Sequence, residues 1–354
     1  MYMFVGVRKT VISIVAFSLI ISTLFLPGCI EDQDPQEENE IKPLDDPVEP
    51  FRGYYLGTLP MPEEGQTFDE SYNFFSVHGE FTPVWGKPTP FYKMAEDLEG
   101  NWGQTYVDNY IRGNEMFPLI HLSFIGQGMS LESPANIQNP SLKDNEWREA
   151  YKEAAIDVVK TSKPLYLSLG NEVNRWYEKY GAEDGDEDGF QHYVSLYEET
   201  YDAVKEVSPE TKVFCVFARE IVSENIGANF DFISMFDRNK LDMLMITSYP
   251  HSVQGINRPS DIPEDYYSSV AGLLPNKPFG FSEIAWPSSE VFGGESAQAH
   301  ILREVTGNLT LDHDVDLQML TWSWLHDLNE QDDTGMIERN GTEKQIFQVW
   351  KELS

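Results

Sequence analysis

The sequence contains little cysteine and lacks the glycine-rich loops that bind nucleotides. Of its 354 residues only two are cysteines, so no disulfide framework can stabilise the fold. One of them, Cys215, lies in the apolar run 213–217 and is interpreted as an inert buried thiol. Neither GxGxxG nor a P-loop pattern occurs, so the sequence gives no support for a dinucleotide or nucleotide site. Stability must come from a hydrophobic core.

Positive charge is also scarce. The chain has 25 lysines and arginines against 59 acidic residues, which gives a formal net charge of −34. A field of this sign repels polyanions, so we expect neither nucleic acid nor a polyanionic substrate as a partner. A solvated surface adapted to saline surroundings accounts for the same balance.

Metal-binding motifs are absent or incomplete. The seven histidines show no zinc-ligand spacing. The run 184–189 (DGDEDG) matches the first half of a calcium loop, but its twelfth position is Ser195 instead of the bidentate glutamate. A solvated acidic loop before a helix is the favoured interpretation, so no cofactor and no metal are expected.

The N-terminus resembles a lipoprotein leader. Arg8 and Lys9 precede an uncharged stretch, 11–26, which is short for a membrane span and typical of a signal peptide. Leu26-Pro27-Gly28-Cys29 resembles the lipobox, in which the cysteine carries the lipid, so 1–28 is predicted to be a signal peptide and Cys29 the lipidation site. An uncleaved anchor and simple secretion remain alternatives. All three place the remaining chain outside the cytoplasm, on the outer face of the membrane or secreted.

The segment that follows is acidic and rich in proline. Residues 30–50 hold nine acidic residues, four prolines and one lysine. Such a composition cannot bury enough apolar surface to fold, so 29–50 is predicted to be a disordered linker.

From residue 51 onward, short apolar runs alternate with helical patterns. We predict strands at 53–59, 80–85, 116–124, 164–170, 211–217, 242–249, 278–283 and 317–324. The clearest helices are predicted at 90–112, 144–162, 189–207, 263–274, 295–309 and 342–353. This order predicts that 51–354 forms a single α/β domain, a (β/α)8 TIM barrel, and we expect a monomer.

The tripeptide Gly-Asn-Glu occurs twice, and its position relative to a strand separates the two copies. Active sites of such barrels lie on the face where the chain leaves the strands. Gly113-Asn114-Glu115 precedes a predicted strand, so we expect a helix cap on the opposite face, with Gly113 at the C-cap. Gly170-Asn171-Glu172 follows a strand, so Asn171 and Glu172 are predicted to open onto the active-site face.

A second glutamate, Glu283, ends the predicted strand 278–283. Two carboxyls on strands four and seven of one barrel face the same bowl, and cleavage of a glycosidic bond requires such a pair. Other acidic residues are less suited to this role. Glu220 adjoins Arg219, and an ion pair is expected there. The carboxyls beyond strand eight fall in a polar loop and are expected to be solvated: Asp327, Asp332 and Asp333.

These residues resemble the pattern of clan A of the glycoside hydrolases, retaining enzymes on a (β/α)8 barrel. In that clan Asn-Glu ends strand four and supplies the acid/base, while a glutamate ending strand seven is the nucleophile. The resemblance implies that Glu172 is the acid/base, Glu283 the nucleophile and Asn171 a ligand of the sugar 2-hydroxyl. Tyr249 ends strand six, where the clan often has a tyrosine that bonds the nucleophile.

The resemblance extends to two families of the clan without selecting one. The run 283–288 (EIAWPS) is similar to a motif of the endo-β-1,3-glucanases, with alanine in place of the usual glycine. The opening strand and 248–250 (SYP) are more similar to the endo-β-1,4-galactanases. The tail 334–344 resembles the run before the clan's last helix, although glutamine follows where proline is usual. The sugar and linkage therefore stay open.

Aromatic residues at predicted strand ends supply candidates for sugar binding, since a sugar's C–H face stacks on a ring. Four tryptophans occupy such places: Trp85, Trp286, Trp322 and Trp324. In the clan a tryptophan at the end of strand eight lies under the sugar in subsite −1. His121, near the end of strand three, is a candidate ligand of a sugar hydroxyl, and a core histidine is the alternative.

The resemblance implies a retaining glycoside hydrolase acting on a neutral β-linked oligo- or polysaccharide by double displacement. Ionised Glu283 would attack, while Glu172, kept protonated by nearby negative charge, protonates the leaving oxygen. A non-catalytic sugar-binding surface lipoprotein on the same barrel is the alternative, and loss of one carboxyl would mark it. A serine hydrolase is not favoured because 280–284 (GFSEI) lacks the second glycine of a nucleophile elbow.

Overall fold

The computed structural model describes residues 45–84, 90–183, 185–312, 315–329 and 331–354, and within them parallel strands form a nearly closed barrel. The barrel strands are β1 Tyr55–Leu59, β2 Phe81–Val84, β3 Phe117–His121, β4 Tyr166–Ser168, β5 Lys212–Phe214, β6 Val216–Ala218, β7 Leu244–Ser248, β8 Phe279–Ile284 and β9 Leu317–Trp324. β5 pairs with β4 and β6 with β7, and only Cys215 separates them. These two pieces make one barrel strand, so the predicted (β/α)8 fold is confirmed.

Helices cover the outside of the barrel. The α-helices are α1 Phe68–Phe75, α2 Met94–Glu99, α3 Asn145–Ser162, α4 Asn174–Tyr180, α5 Phe190–Val207, α6 Ser268–Ala271, α7 Gly294–Gly307 and α8 Gln345–Leu353. An α-helical turn at Asn101–Gly103, a π-helix at Gln104–Ile111 and a 3-10 turn at Arg112–Asn114 lie between α2 and β3.

Most predicted helices are present, with two differences. The predicted helix 90–112 is interrupted at Gly100, whose extended backbone ends α2, and after a short α-helical turn it continues as a π-helix. The predicted helix 263–274 reduces to the single α-helical turn Ser268–Ala271. The short helix α4, directly after Glu172, was not predicted.

Two hydrophobic clusters follow from the alternation of side chains along the strands. The inner cluster fills the barrel and is built from strand-region residues alone, among them Phe81, Phe117, Phe214 and Met245. The outer cluster joins the other faces of the strands to the helices. Aromatic rings fill the interior so closely that a side chain at Gly57 would place its Cβ 2.5 Å from the Phe81 ring.

The polar loop after β9 is fastened by a buried ion pair. Lys344 Nζ lies 2.6 Å from Asp327 Oδ1, and the side chains are only 3% and 12% exposed. The Gly335 amide donates to the same carboxyl at 2.9 Å. Asp327 is therefore not solvated, contrary to the sequence-based expectation, because the chain from 335 to 344 folds back over it.

Replacing Lys344 by methionine is expected to lower the free energy of unfolding by about 3–5 kcal/mol, because the buried Asp327 carboxyl loses its cation. Urea denaturation followed by circular dichroism measures the change. Lys351→Met is the matched control, since the Lys351–Glu343 pair is 31% and 38% exposed. It should cost no more than about 1 kcal/mol. Equal unfolding midpoints for the two variants would contradict the account.

The N-terminal predictions fall mostly outside the described residues. The signal peptide 1–28, Cys29 and the linker up to residue 44 lie there. The last part of the predicted linker contacts the barrel, since Arg112 Nε and Nη2 donate to Asp45 Oδ1 and Oδ2 at 2.7 and 3.0 Å. Within the residues that the structure describes, no helix has the length and apolar character needed to cross a membrane.

Candidate active site

The two Gly-Asn-Glu copies lie at opposite ends of the barrel strands, as predicted. The first copy precedes β3, and the second follows β4. The cap in the first copy is Glu115, with a left-handed φ of 61°, and not Gly113. Glu172 has the same type of backbone conformation, with φ of 51°. Local conformation therefore does not distinguish the copies, whereas position after a strand does.

The turn that carries Glu172 is held from several sides. A non-glycine residue at positive φ costs about 1–3 kcal/mol, and active sites are where such strain collects. Gly170 has φ of 137°, and a Cβ there would lie 2.5 Å from Val173 Cγ1, so only glycine fits. Asn174 clamps the following residues to β6, because its side chain donates to the Ala218 carbonyl and accepts from the Ala218 amide.

The Glu172 carboxyl has one neutral and one charged partner. Thr247 Oγ1 on β7 donates to Oε1 at 2.9 Å. Arg175 Nη1 on α4 donates to Oε2 at 2.7 Å, and the arginine side chain remains 42% exposed. The carboxyl is thus directed across the mouth of the barrel toward β7.

The Glu283 carboxyl, on β8, receives only neutral donors. Tyr249 Oη, one residue beyond β7, donates a short hydrogen bond to Oε2, and it also lies 3.4 Å from Ser323 Oγ. The Asn171 side chain hydrogen-bonds the same carboxyl. The structure therefore brings four of the predicted site residues together: Asn171, Glu172, Tyr249 and Glu283.

The two carboxyls interact electrostatically, and the raised pKa belongs to Glu283. Burial raises the pKa of Glu283 to about 7, the negative charge of Glu172 adds to the rise, and the bonds from Tyr249 and Asn171 oppose it. The sequence-based expectation placed the protonating effect on Glu172. In the structure Glu172 has the Arg175 guanidinium beside it, whereas Glu283 has only neutral donors.

Two of the four predicted tryptophan platforms are core residues instead. Trp286 and Trp322 are fully buried members of the outer cluster. Their indole N–H groups donate to the carbonyls of Phe292 and Thr334, at 3.1 and 2.8 Å. No ring face is left for a sugar, so these two predictions are wrong. The strand-end position was right, but the side chains point to the helix layer.

The remaining predicted contacts have different surroundings. Trp324 is the last residue of β9 and is half-buried, so part of its surface stays open. Trp85 lies outside the described residues. His121 is the last residue of β3 and is 2% exposed, and burial lowers its pKa to about 3, which leaves the imidazole neutral.

Glu220 occupies a site that the sequence did not predict. It is 3% exposed and accepts hydrogen bonds from Ser248 Oγ, the Tyr249 amide and Tyr266 Oη. Burial raises its pKa to about 7, and these three bonds oppose the rise. The Arg219 charge also opposes the rise, but Arg219 makes no direct ion pair with Glu220, because its guanidinium stacks over the Tyr266 ring at 3.8 Å.

The acidic loop 184–189 is stabilised by backbone contacts. Asp186 accepts a bond from the Asp188 amide at 3.0 Å, and Asp188 accepts one from the Leu142 amide at 3.1 Å. Asp184 lies outside the described residues. Among the residues that are described, no group of three or more histidine, cysteine or acidic side chains could hold a metal ion.

Comparison with known proteins places the fold. No protein-family model and no curated protein matches the sequence. The structure is similar to a family 39 glycoside hydrolase from the gut symbiont Bacteroides cellulosilyticus, with a TM-score of 0.58 and 14% identity over 88% of this chain and 65% of that one. A second neighbour is a GH5_18 from Bifidobacterium longum subsp. infantis. It has a TM-score of 0.58 and 13% identity, over 80% of this chain and 72% of that one.

The chain has the barrel fold of glycoside hydrolases. A third neighbour, a GH5_18 from Streptomyces cattleya in complex with GlcNAc, has a TM-score of 0.56 and 11% identity, over 85% of this chain and 79% of that one. The chain spans 65% of the family 39 protein and 50% or less of the β-glucuronidases that it also matches. At such identities the likeness concerns the fold alone.

Proposed function

We propose that the protein is a retaining glycoside hydrolase of the clan A type that cleaves a neutral β-linked oligo- or polysaccharide. The observation that carries the proposal is the cluster at the mouth of the barrel. Glu172 after β4 and Glu283 on β8 interact there, with Tyr249 and Asn171 bonded to Glu283. Glycoside hydrolases among the structural neighbours support the choice of this chemistry for such a pair.

In the first step, the ionised Glu283 carboxylate attacks the anomeric carbon and forms a covalent glycosyl ester. Glu172 donates its proton to the leaving glycosidic oxygen as that bond breaks. Tyr249 and Asn171 favour the ionised form of Glu283 through their hydrogen bonds. Asn171 Oδ1 is buried and has no hydrogen-bond partner among the described residues, so it can accept a bond from the sugar 2-hydroxyl.

In the second step, Glu172 acts as a base. It removes a proton from water, and the oxygen of that water attacks the anomeric carbon and displaces Glu283. Before the first step the leaving oxygen must reach the Glu172 carboxyl, where Arg175 now lies at 2.7 Å. We propose that the partly exposed Arg175 side chain turns away when the substrate enters, because its guanidinium occupies the position that the leaving oxygen needs.

The substrate class follows from charge. The formal net charge of −34 disfavours polyanionic chains, which leaves neutral sugars as the expected substrates. The predicted lipobox supports a further proposal, that Cys29 anchors the enzyme to the outer face of the cell membrane. A polymeric substrate outside the cell would be accessible there.

A substrate screen tests the proposal. Wild-type protein is incubated with β-linked glucans, galactans and mannans, and released sugar ends are measured beside Glu172→Ala and Glu283→Ala. We expect at least one glycan to be cleaved by the wild type, with both variants strongly impaired. Full activity in either variant would refute the assignment of the pair.

For an aryl glycoside with an acidic phenol, which needs no proton at its leaving oxygen, kcat/KM is expected to show an acidic limb near pH 7, because the nucleophile must be ionised and the pKa of Glu283 is raised to about 7. Below that pH, kcat/KM should fall about tenfold per pH unit, since this parameter reports the free enzyme. Initial rates on an aryl glycoside from pH 5 to pH 8 measure it. A profile that stays flat down to pH 5 would be inconsistent with this nucleophile.

Replacing Trp324 by alanine is expected to raise KM about tenfold with little loss of stability, because the open part of the ring stacks on the sugar. Trp322→Phe is the matched control on the same strand. It should lower the melting temperature and leave KM unchanged, since Trp322 is fully buried in the outer cluster. An unchanged KM for Trp324→Ala would argue against this subsite.

A further inference from the structure

We propose that Glu220 is a positioning residue that holds Tyr249, and through Tyr249 the Glu283 carboxyl, in the reactive arrangement. The proposal rests on the proposed function for the meaning of "reactive", and its test includes a readout that requires no catalysis. Glu220 touches none of the reacting groups. It contacts the strand end from which Tyr249 projects.

The contact to Tyr249 is made through the backbone. Glu220 Oε2 accepts a hydrogen bond from the Tyr249 amide at 2.6 Å. Tyr249 is the first residue after β7, and its φ of −133° and ψ of 66° turn the chain out of the strand. The amide has thus left the sheet, and the carboxyl supplies its acceptor at the point that sets the direction of the tyrosine side chain.

The other carboxyl oxygen is fixed by two hydroxyl groups. Oε1 accepts from Ser248 Oγ at 2.9 Å and from Tyr266 Oη at 2.8 Å. Ser248 Oγ also lies 2.9 Å from Tyr267 Oη. With three donors and 3% exposure, the carboxyl is held in one orientation, and bonds to an ionised acceptor are about twice as strong as neutral ones.

Tyr266, one of the two hydroxyl donors to Glu220, is itself held in place by Arg219. The Arg219 guanidinium stacks on the Tyr266 ring at 3.8 Å, and its Nε donates to the Tyr266 carbonyl at 3.2 Å. Tyr266 is therefore fixed by groups that do not touch the active site. A continuous set of contacts runs from Arg219 through Tyr266 and Glu220 to Tyr249 and ends at Glu283.

Loss of the Glu220 contact should change the pKa of Glu283 in a defined direction. The Tyr249 hydroxyl bond lowers the pKa of Glu283, so a displaced Tyr249 should let that pKa rise further. Replacing Glu220 by glutamine keeps the shape of the side chain but puts an NH₂ group against a donor at one of the two oxygen positions. The Tyr249 backbone should shift as a result, and its hydroxyl should leave Glu283.

The test compares wild type, Glu220→Gln, Tyr249→Phe and the double variant. The titration of Glu283 is followed by NMR with labelled glutamate, its resonance assigned from Glu283→Gln. We expect Glu220→Gln and Tyr249→Phe each to move the titration to higher pH. The double variant should resemble Tyr249→Phe alone, because both changes act through the same hydroxyl. A titration unchanged in Glu220→Gln, or shifts that add in the double variant, would overturn the proposal.

Kinetics provide a second readout with a matched control. Glu220→Gln is expected to lower kcat/KM about tenfold at pH 7 and to move its acidic limb upward. Asp242→Asn is the control, because Asp242 also accepts bonds from a backbone amide and a tyrosine hydroxyl, at the opposite end of β7. It should lower stability without moving the limb. An acidic limb of kcat/KM at the same pH in Glu220→Gln and Asp242→Asn would contradict the positioning role.

A third variant, Tyr266→Phe, tests the proposal if Glu220→Gln does not fold. Tyr266→Phe keeps the carboxylate and removes one of its three donors. It should move the Glu283 titration in the same direction by a smaller amount, and no movement would count against the proposal. Wild-type inactivity on every glycoside would refute the proposed function alone, since the NMR titration is independent of turnover.

Discussion

Glu283→Ala is expected to lower kcat by about five orders of magnitude, equivalent to about 7 kcal/mol of activation free energy. Glu283 is the carboxylate to which the sugar would be bonded, and among the described residues it is the carboxyl that accepts a hydrogen bond from the Tyr249 hydroxyl. Without it the anomeric carbon has no internal nucleophile. The remaining groups can still protonate the leaving oxygen, so the defect lies in one step.

A small external nucleophile distinguishes this defect from misfolding. Azide is expected to enter the space left by the Glu283 side chain and to restore turnover of an activated aryl glycoside, giving a glycosyl azide of inverted configuration. Glu290→Ala is the matched control, an exposed glutamate seven residues further along the chain, and it should keep wild-type kcat. More than about one per cent of wild-type kcat in Glu283→Ala would contradict the nucleophile assignment.

Glu172→Ala is expected to impair catalysis according to the leaving group. General acid catalysis contributes about 10²–10⁴-fold, so cleavage of an unactivated glycan should fall by that factor. An aryl glycoside with an acidic phenol needs no proton at its leaving oxygen, so formation of the glycosyl-enzyme should be much less affected. The carboxyl is also needed as base, and the second step should therefore become rate-limiting for such substrates.

Burst kinetics and a neighbouring glutamate provide the checks. An aryl glycoside should give a burst of phenol in Glu172→Ala, followed by slow turnover that azide accelerates with retained configuration. Glu178→Ala, an exposed residue on the same short helix, should behave like wild type. The same loss of rate for good and poor leaving groups would be inconsistent with an acid/base role for Glu172.

The face of the barrel on which a strand-end residue lies could be predicted from the sequence. The end of β4 places Glu172 on the active-site face, and β8 places Glu283 near enough to interact with it electrostatically. Both placements follow from the rule that parallel strands present their carboxyl ends on the same face. Tyr249 at the end of β7 obeys the same rule, and its hydroxyl reaches Glu283.

The direction in which a side chain points at a strand end could not be predicted from the sequence. Trp322 and Trp286 were placed at strand ends, but they point outward to the helices, and a strand end does not indicate direction when the strand is irregular. Pairing between β8 and β9 shifts register twice. Simple alternation along β9 therefore could not be counted from the sequence.

Contacts between segments that are far apart in the sequence could not be predicted either. Glu220 was expected to pair with its neighbour Arg219, yet its partners lie 28 to 46 residues away. Arg175 could have been found, because a helix after Glu172 would place it three positions away, on the same side of the helix. It was missed because no helix was predicted between Glu172 and residue 189.

The most direct measurement of the central claim is mass spectrometry of the enzyme after reaction with a 2-deoxy-2-fluoro glycoside of an accepted sugar. The fluorine slows hydrolysis of the covalent intermediate, so the glycosyl-enzyme accumulates and can be digested to peptides. The account predicts one added sugar, located on Glu283 and absent in Glu283→Ala. An adduct on any other residue, or turnover of the natural substrate by an enzyme that forms no adduct, would contradict it.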